Sequence, residues 1–160
     1  MIGLRGEFEA TVDGKGRFLL PSAIKKQLPE DSSNRFVINR AFEKRLALYP
    51  IDNWKPRFEA IGKLNDFDPK VRQFKRYFLN GATDMELDSA GRLLIPQTLK
   101  EHAGIEKDIV LLASYDKIEI WDKTKYTEFF ESMTPETFSD LAKEVLPNGL
   151  ILRVIMFPCY

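Results

Sequence analysis

An aspartate and an arginine four positions apart, with a glycine directly before the arginine, occur twice in this chain: Asp13, Gly16 and Arg17, then Asp88, Gly91 and Arg92. The stretches read VDGKGRFLLP (12–21) and LDSAGRLLIP (87–96), each closing on a proline, and the period is 75 residues. A guanidinium at the tip of a β-ribbon suits the major groove of DNA, where its planar fork can donate two hydrogen bonds to guanine O6 and N7. Such a contact is worth about 1–3 kcal/mol of discrimination. Lys15, in the first loop, suits a phosphate and would carry little sequence preference. Asp13 has no attraction for a phosphate backbone, so it would accept loop amides or hold Arg17 in one pose. Each Asp–Arg pair could equally be no more than a staple across a turn, and exposed pairs of that kind contribute only about 0–1 kcal/mol.

The flanking residues say which elements must position these loops. Glu7 to Val12 alternate polar and apolar, the period of a strand with one buried face. DGKG is turn chemistry, and Arg17 to Leu20 resume an extended apolar segment, as a β-hairpin or a psi-like loop would. Pro21 and Ser22 open a short helix with Ile24 and Leu28 on one face, stopped near Pro29. Arg35 to Asn39 and Leu46 to Tyr49 read as strands joined through Glu43, Lys44 and Arg45. Ile51, Trp54, Phe58 and Ile61 then recur at helical spacing as a stripe that packs on the sheet. Asp68 and Pro69 start another helix, ending at Gly81, with Val71, Phe74 and Phe78 on its apolar face; Lys70, Arg72, Lys75 and Arg76 form a basic face, read as solvated.

The second half replays this order. Thr83 to Leu87, the DSAG turn, Arg92 to Ile95, a helix bearing Leu99 and Ala103, strands at Ile109 to Ala113 and Ile118 to Trp121, and a helix with Tyr126, Phe129, Phe130 and Met133 all have counterparts in the first half. A repeat of this length implies two copies of one unit. At 160 residues the chain is about one domain long, so the copies are expected to share a core. The expected divisions are a first repeat over 1–64, a linker helix over 65–81, a second repeat over 82–133, and a C-terminal helix and apolar tail over 134–160. The fold class is α+β, mainly β. Eight short strands, four from each copy, would close into a barrel whose halves have no stable core alone. The apolar run LILRVIMF, 150–157, needs a cover, from its own chain or a neighbour.

Composition excludes several classes. A hydrophobic fraction of 44% and a charged fraction of 30% suit a soluble globular protein. No apolar run approaches the roughly 18 residues of a membrane helix, and the start MIGLRGEFEA lacks signal-peptide organisation, so no membrane association and a cytoplasmic location are expected. With one cysteine, Cys159, and one histidine, His102, neither an internal disulfide nor a usual metal site can be built. Catalysis is not expected either, because there is no Cys/His pair, no glycine-rich phosphate cradle and no HExxH, and no cofactor is implied. Net charge is zero, unlike a simple nucleic-acid binder, but the halves differ. Residues 1–80 hold 16 Lys and Arg against 10 Asp and Glu, and residues 81–160 hold 8 against 14. That asymmetry permits a basic face on the first half and head-to-tail attraction between chains.

RGEFEATVDGKGRFLLP near the start and MELDSAGRLLIP in the second half, each set in the same order of strands and helices, resemble the MraZ family of bacterial regulators. These belong to the AbrB-like swapped-hairpin barrel proteins, and the likeness covers roughly residues 1–133. The resemblance implies a pseudo-two-fold, double-psi-like barrel made from two tandem half-barrels. It implies ring-like homo-oligomers that bind short direct repeats of double-stranded DNA upstream of the division and cell-wall gene cluster, and hence association with the nucleoid. The DNA-contact candidates are Lys15, Arg17 and Arg92, with Arg5 at the head of the first stretch; Asp13, Gly16, Asp88 and Gly91 would position the loops. Ser89 and Ala90 replace Gly14 and Lys15 in the second loop, and Asp84 and Glu86 precede it, so the two loops need not touch DNA equally. The other reading is an interaction module, antitoxin-like or adaptor-like, with this fold but no DNA contact.

Overall fold

A computed structural model of the chain describes residues 3–32 and 34–147. The apolar run 150–157 and Cys159 lie outside the described residues. The chain forms two compact units, one running through Lys123 and the other from Thr124 onward.

The first unit contains β1 (Leu4–Thr11), β2 (Arg17–Leu19), α1 (Ser22–Lys25), a 3₁₀ turn (Glu30–Ser32), β3 (Arg35–Arg40), β4 (Leu46–Pro50), α2 (Ile51–Gly62) and α3 (Pro69–Asn80). Then come β5 (Thr83–Glu86), β6 (Arg92–Leu94), α4 (Gln97–His102), β7 (Asp108–Tyr115) and β8 (Lys117–Asp122). Eight strands are present among the described residues, four from each repeat. They build a six-stranded antiparallel sheet in the order β1-β7-β8-β4-β3-β5 and a separate two-stranded ribbon, β2-β6.

Partner choice is where the fold departs from a local reading of the chain. β1 and β2 do not form a hairpin with each other. β1 pairs with β7 of the other repeat, Phe8 opposite Leu111, while its counterpart β5 pairs with β3, Phe36 opposite Met85. β2 pairs with β6, and β4 with β8, so each symmetric pair joins equivalent strands of the two repeats. The cause is burial: β2 offers only Phe18 to the interior within its three residues, and that ring is covered only when Leu93 lies opposite it. A short strand with one inward side chain gains more from this dyad than from lying flat on β1.

The alternation within β3 and β4 sorts side chains to two cores. Phe36, Ile38, Leu46 and Leu48 face inward with Phe18, Leu93, Ile109, Leu111, Ile118 and Ile120. Val37, Ala47 and Tyr49 face outward, where Trp54 of α2 covers them. Both faces of these strands are thus buried, which accounts for their near-continuous apolar sequence. Ile24 of α1 and Leu99 of α4 plug the inner core from the two repeats. Pro21 and Pro96 sit at the N-cap positions of those helices, one place earlier than a first helical residue.

α3 starts as its sequence predicts, with the Asp68 carboxylate accepting the Lys70 amide at 2.9 Å. Its basic face is only partly solvated. Lys75 donates to the carbonyls of Gly62 and Leu64 and to Asp66, and Arg72 donates to the carbonyls of Asp66 and Phe67, so both cations tie down the chain that leads from α2 into α3. The α2 stripe also divides: Trp54 is buried and stacks on Phe78, but Phe58 is half exposed.

α5 (Lys123–Ser132) begins at the boundary, and the second unit continues with α6 (Pro135–Val145). α6 is capped by Thr134, whose hydroxyl accepts the Thr137 amide at 3.1 Å. Tyr126, Phe129 and Phe130 of α5 form an aromatic group, with Tyr126 and Phe130 rings 4.7 Å apart. Among the described residues no helix is long and apolar enough to cross a membrane, and no group of three or more His, Cys, Asp or Glu side chains is placed to hold a metal ion.

Because every strand pair except β3–β4 and β7–β8 is made between repeats, a fragment holding residues 1–81 lacks any partner for β1 and β2 and the second neighbour of β3 and of β4. Expressed alone, it will be unfolded or will dimerise so that a second copy supplies the missing strands. Sedimentation with circular dichroism checks this, and a folded monomer would contradict the interlocked topology.

Candidate nucleic-acid interface

Each Asp-x-x-x-Arg loop closes on itself by the same bonds. The Asp13 amide donates to the Arg17 carbonyl at 2.8 Å and the Gly16 amide to the Asp13 carbonyl at 3.0 Å. Asp13 Oδ1 accepts the amides of Lys15 and Arg17, both at 2.9 Å, and Oδ2 accepts Arg17 Nε at 2.9 Å. In the second loop Asp88 Oδ1 accepts the amides of Ala90 and Arg92 at 2.9 and 2.8 Å, and Oδ2 accepts Arg92 Nε at 2.9 Å. The side chain that heads each loop therefore both folds it and braces its arginine.

These bonds set the charge state. Asp13 is held below the ordinary carboxylate pKa chiefly by the Arg17 backbone amide, with the Lys15 amide and the Arg17 side chain adding to it against some burial. Asp88 is lowered in the same way, first by the Arg92 amide. A lowered folded-state pKa gives stability that is present above the unfolded value and lost as pH falls through the folded one. Both braces are thus complete at neutral pH and open only in acid, below the usual range near 3.9.

With Nε committed to the carboxylate, the two terminal nitrogens of each guanidinium remain as its end-on fork. Arg17 and Arg92 are partly exposed, and Lys15 is exposed. Glycine makes the last turn into each arginine possible, since Gly16 has φ +89° and Gly91 φ +80°.

The ribbon brings the two loops together. Arg17 lies opposite Leu94 and Arg92 opposite Leu19, on either side of the central Phe18–Leu93 pair. The Ile95 amide donates to the Gly16 carbonyl at 2.9 Å and the Leu20 amide to the Gly91 carbonyl at 3.0 Å, so each loop is finished by the other repeat. The outward face carries two arginines and two leucines, Leu19 and Leu94 being more than half exposed. Both leucines read in the sequence as parts of apolar runs. Strict alternation through Phe18 and Leu93 was the signal that they face out.

Arg5 is on β1, not on the ribbon strands. It sits at the start of β1, eight residues before Asp13, or roughly 26 Å of extended strand. Its amide donates to Gln27 Oε1 and its carbonyl accepts Gln27 Nε2, both at 3.0 Å, and its guanidinium is exposed. Asp84 and Glu86 are exposed on β5, leading into the second loop, which is therefore less cationic than the first.

A sheet whose edge strands are exchanged between two repeats, with a dyad ribbon carrying a braced arginine at each end, defines a swapped-hairpin barrel protein. Comparison with known proteins agrees and is more specific. The family model for MraZ, described as antitoxin-like, matches residues 4–77 and again 78–148. This chain belongs to the MraZ family. A relative in Christiangramia forsetii, named transcriptional regulator MraZ, is 46% identical over 92% of this chain and 96% of its own length. Relatives of the same name in Cytophaga hutchinsonii and Clostridium beijerinckii are each 40% identical, over 88% and 91% of this chain and 93% and 98% of theirs. These relatives are all named as transcriptional regulators.

The two loop glycines differ in how much room they have. A Cβ on Gly16 would lie 3.1 Å from the Ile95 carbonyl oxygen, whereas one on Gly91 would meet only a Leu19 methyl at 3.7 Å. Gly16→Ala combines φ strain with a backbone clash and should cost about 2 kcal/mol, while Gly91→Ala should cost about 1 kcal/mol from strain alone. Urea denaturation measures both, and equal losses would contradict the asymmetry.

Proposed function

We propose that this chain is a DNA-binding transcriptional regulator that reads a groove with Arg17 and, in a less cationic second loop, Arg92, with Lys15 on a phosphate. The observation that carries this reading is the pair of guanidinium forks braced by their own aspartates on one exposed ribbon. Arg17 and Arg92 are offset by two residues along that ribbon. This is about 7 Å, which fits within the roughly 12 Å width of a major groove. Leu19 and Leu94, exposed beside them, can meet thymine methyl groups. Arg5, on β1 rather than on the ribbon, is assigned a phosphate outside the bases that the ribbon reads.

A chain of zero net charge gains little from non-specific attraction, so single-site binding is weak. Assembly supplies the strength. Linked binding events raise avidity by about 10² to 10⁴ without new contacts, and head-to-tail contacts close into a ring where the rotation permits. The opposite charges of the two halves suit such contacts. The target proposed on family likeness is a set of short direct repeats upstream of the division and cell-wall genes, bound on the nucleoid in the cytoplasm.

Fluorescence anisotropy with the DNA upstream of its own gene, against a scrambled duplex, tests the roles. Arg17→Ala should weaken the specific duplex at least tenfold and the scrambled one far less. Lys15→Ala should weaken both alike and reduce the slope of log affinity against log salt by about 1. Equal losses on both duplexes in Arg17→Ala would contradict base reading. Light scattering should give a multiple of 18.5 kDa, and a stable monomer at working concentration would contradict the assembly.

A further inference from the structure

The outer face of the sheet holds a second concentration of cations that shares no residue with either loop. β3 and β4 are joined by five residues, 41–45, whereas Tyr115 and Asp116 suffice at the equivalent turn between β7 and β8. The longer turn overhangs the sheet and, with α2 and α3, borders a cavity of about 230 Å³ lined by the cations Arg40, Arg45, Arg57 and Lys117, by one carboxylate, Glu119, and by Phe42 and Tyr49. A second cavity of about 160 Å³ shares Arg40, Phe42 and Phe78 with it and adds Phe74 and Tyr77. One compartment is cationic and the other aromatic.

The charges around the first compartment do not cancel. Arg57 and Lys117 both pair with Asp116; Arg45 pairs with Glu43 at 2.9 Å and stands 3.9 Å from Glu119. Among the described residues Arg40 makes no ion pair. Its guanidinium lies 5.6 Å from the Tyr77 ring centre, and its Nη1 is buried with no hydrogen-bond partner. Arg45 Nε, stacked with its guanidinium 4.3 Å from the Trp121 ring centre, is likewise buried and unpartnered. Both atoms are closed in by protein, Arg40 Nη1 beside Gly81 and the equally unpartnered Asn39 Oδ1, so an anion in the cleft would be left to the remaining nitrogens of the Arg40 fork. Phe42 is 78% exposed above the opening, a large apolar surface.

We propose that this two-compartment cleft is a binding site for one small organic anion per chain, with its carboxylate or phosphate on Arg40 and its aromatic or apolar body against Phe42 and Tyr77. At about 230 Å³ the cavity is smaller than the roughly 300–1,000 Å³ usual for ligand clefts, which selects a single ring with one anionic group over a dinucleotide. The guanidinium fork supplies the charge-assisted bonds, and the aromatic wall supplies the discrimination against inorganic anions. Among the described residues the equivalent turn of the second repeat is too short to build such an overhang, so the expected stoichiometry is one. The site stands independently of DNA reading by the loops.

Titration calorimetry on the full chain at 0.15 M salt, with phenyl phosphate, benzoate and inorganic phosphate as probes, tests this. Phenyl phosphate or benzoate should saturate one site per chain, at least tenfold tighter than inorganic phosphate; which of the two binds tighter distinguishes a phosphate ligand from a carboxylate. Arg40→Gln, checked for folding by circular dichroism, should lose at least tenfold. Phe42→Ala, at an exposed position, should weaken the aromatic probes severalfold and leave inorganic phosphate unchanged. No saturable binding, two sites per chain, undiminished binding in either variant, or binding seen only as the assembly dissociates would overturn the proposal; the last would mean that a second copy of the chain covers this face.

Discussion

The Asp13 carboxylate accepts two backbone amides and one guanidinium nitrogen within its own loop, and Asp88 does the same 75 residues later. One residue thereby fixes both the backbone path and the position of the arginine's Nε. A free arginine carries about 2 kcal/mol of rotamer entropy, part of which is lost whenever the fork is immobilised on a ligand. A braced one has already lost much of it during folding. The brace also places a negative charge beside the guanidinium, which weakens attraction to phosphate. The arrangement therefore favours directed hydrogen bonds over bulk electrostatics, in keeping with a chain of zero net charge.

The brace holds only because the loops are finished across the dyad. Gly16 and Gly91 each give their carbonyl to the other repeat, and Phe18 and Leu93 close the interior beneath them. Local conformational freedom in one loop is thus limited by a strand more than 70 residues away. Where the repeats diverge, they diverge at the surface. Lys15 gives way to Ala90, and the five-residue turn after β3 gives way to a two-residue turn after β7, while the ribbon bonds are kept.

Much of this was legible before any coordinates. The doubled loop, the Asp68 and Pro69 helix start, and the positions of all eight strands follow from turn chemistry, from period-two alternation in strands such as β1, and from short apolar runs in strands such as β3 and β4. Strand partners were not legible. Alternation in Glu7 to Val12 says that one face is buried and says nothing about whether Arg17 to Leu20 or a strand 100 residues later lies alongside. The roles of Lys75 and Arg72 were hidden for a related reason: a basic helix face looks solvated until the carbonyls that it caps are brought beside it. The outer cleft depends on side chains from β3, β4, β8, α2 and α3 meeting in space, and no local pattern records that meeting. In the site itself, Asp13, Gly16, Arg17 and their counterparts were readable because repetition marked them, whereas Leu19 and Leu94 were masked by their apolar neighbours.

Asp13→Asn separates orientation from charge. Asparagine keeps an oxygen for the loop amides but replaces the acceptor of Arg17 Nε with an amino group, and it removes one negative charge from the loop. Binding to scrambled DNA should therefore tighten, and binding to the specific site should weaken by at least tenfold, when both are measured at the same salt concentration. If specific and scrambled affinities rose together in Asp13→Asn, the carboxylate would be only an electrostatic drag, and the claim that it aims the arginine would fail.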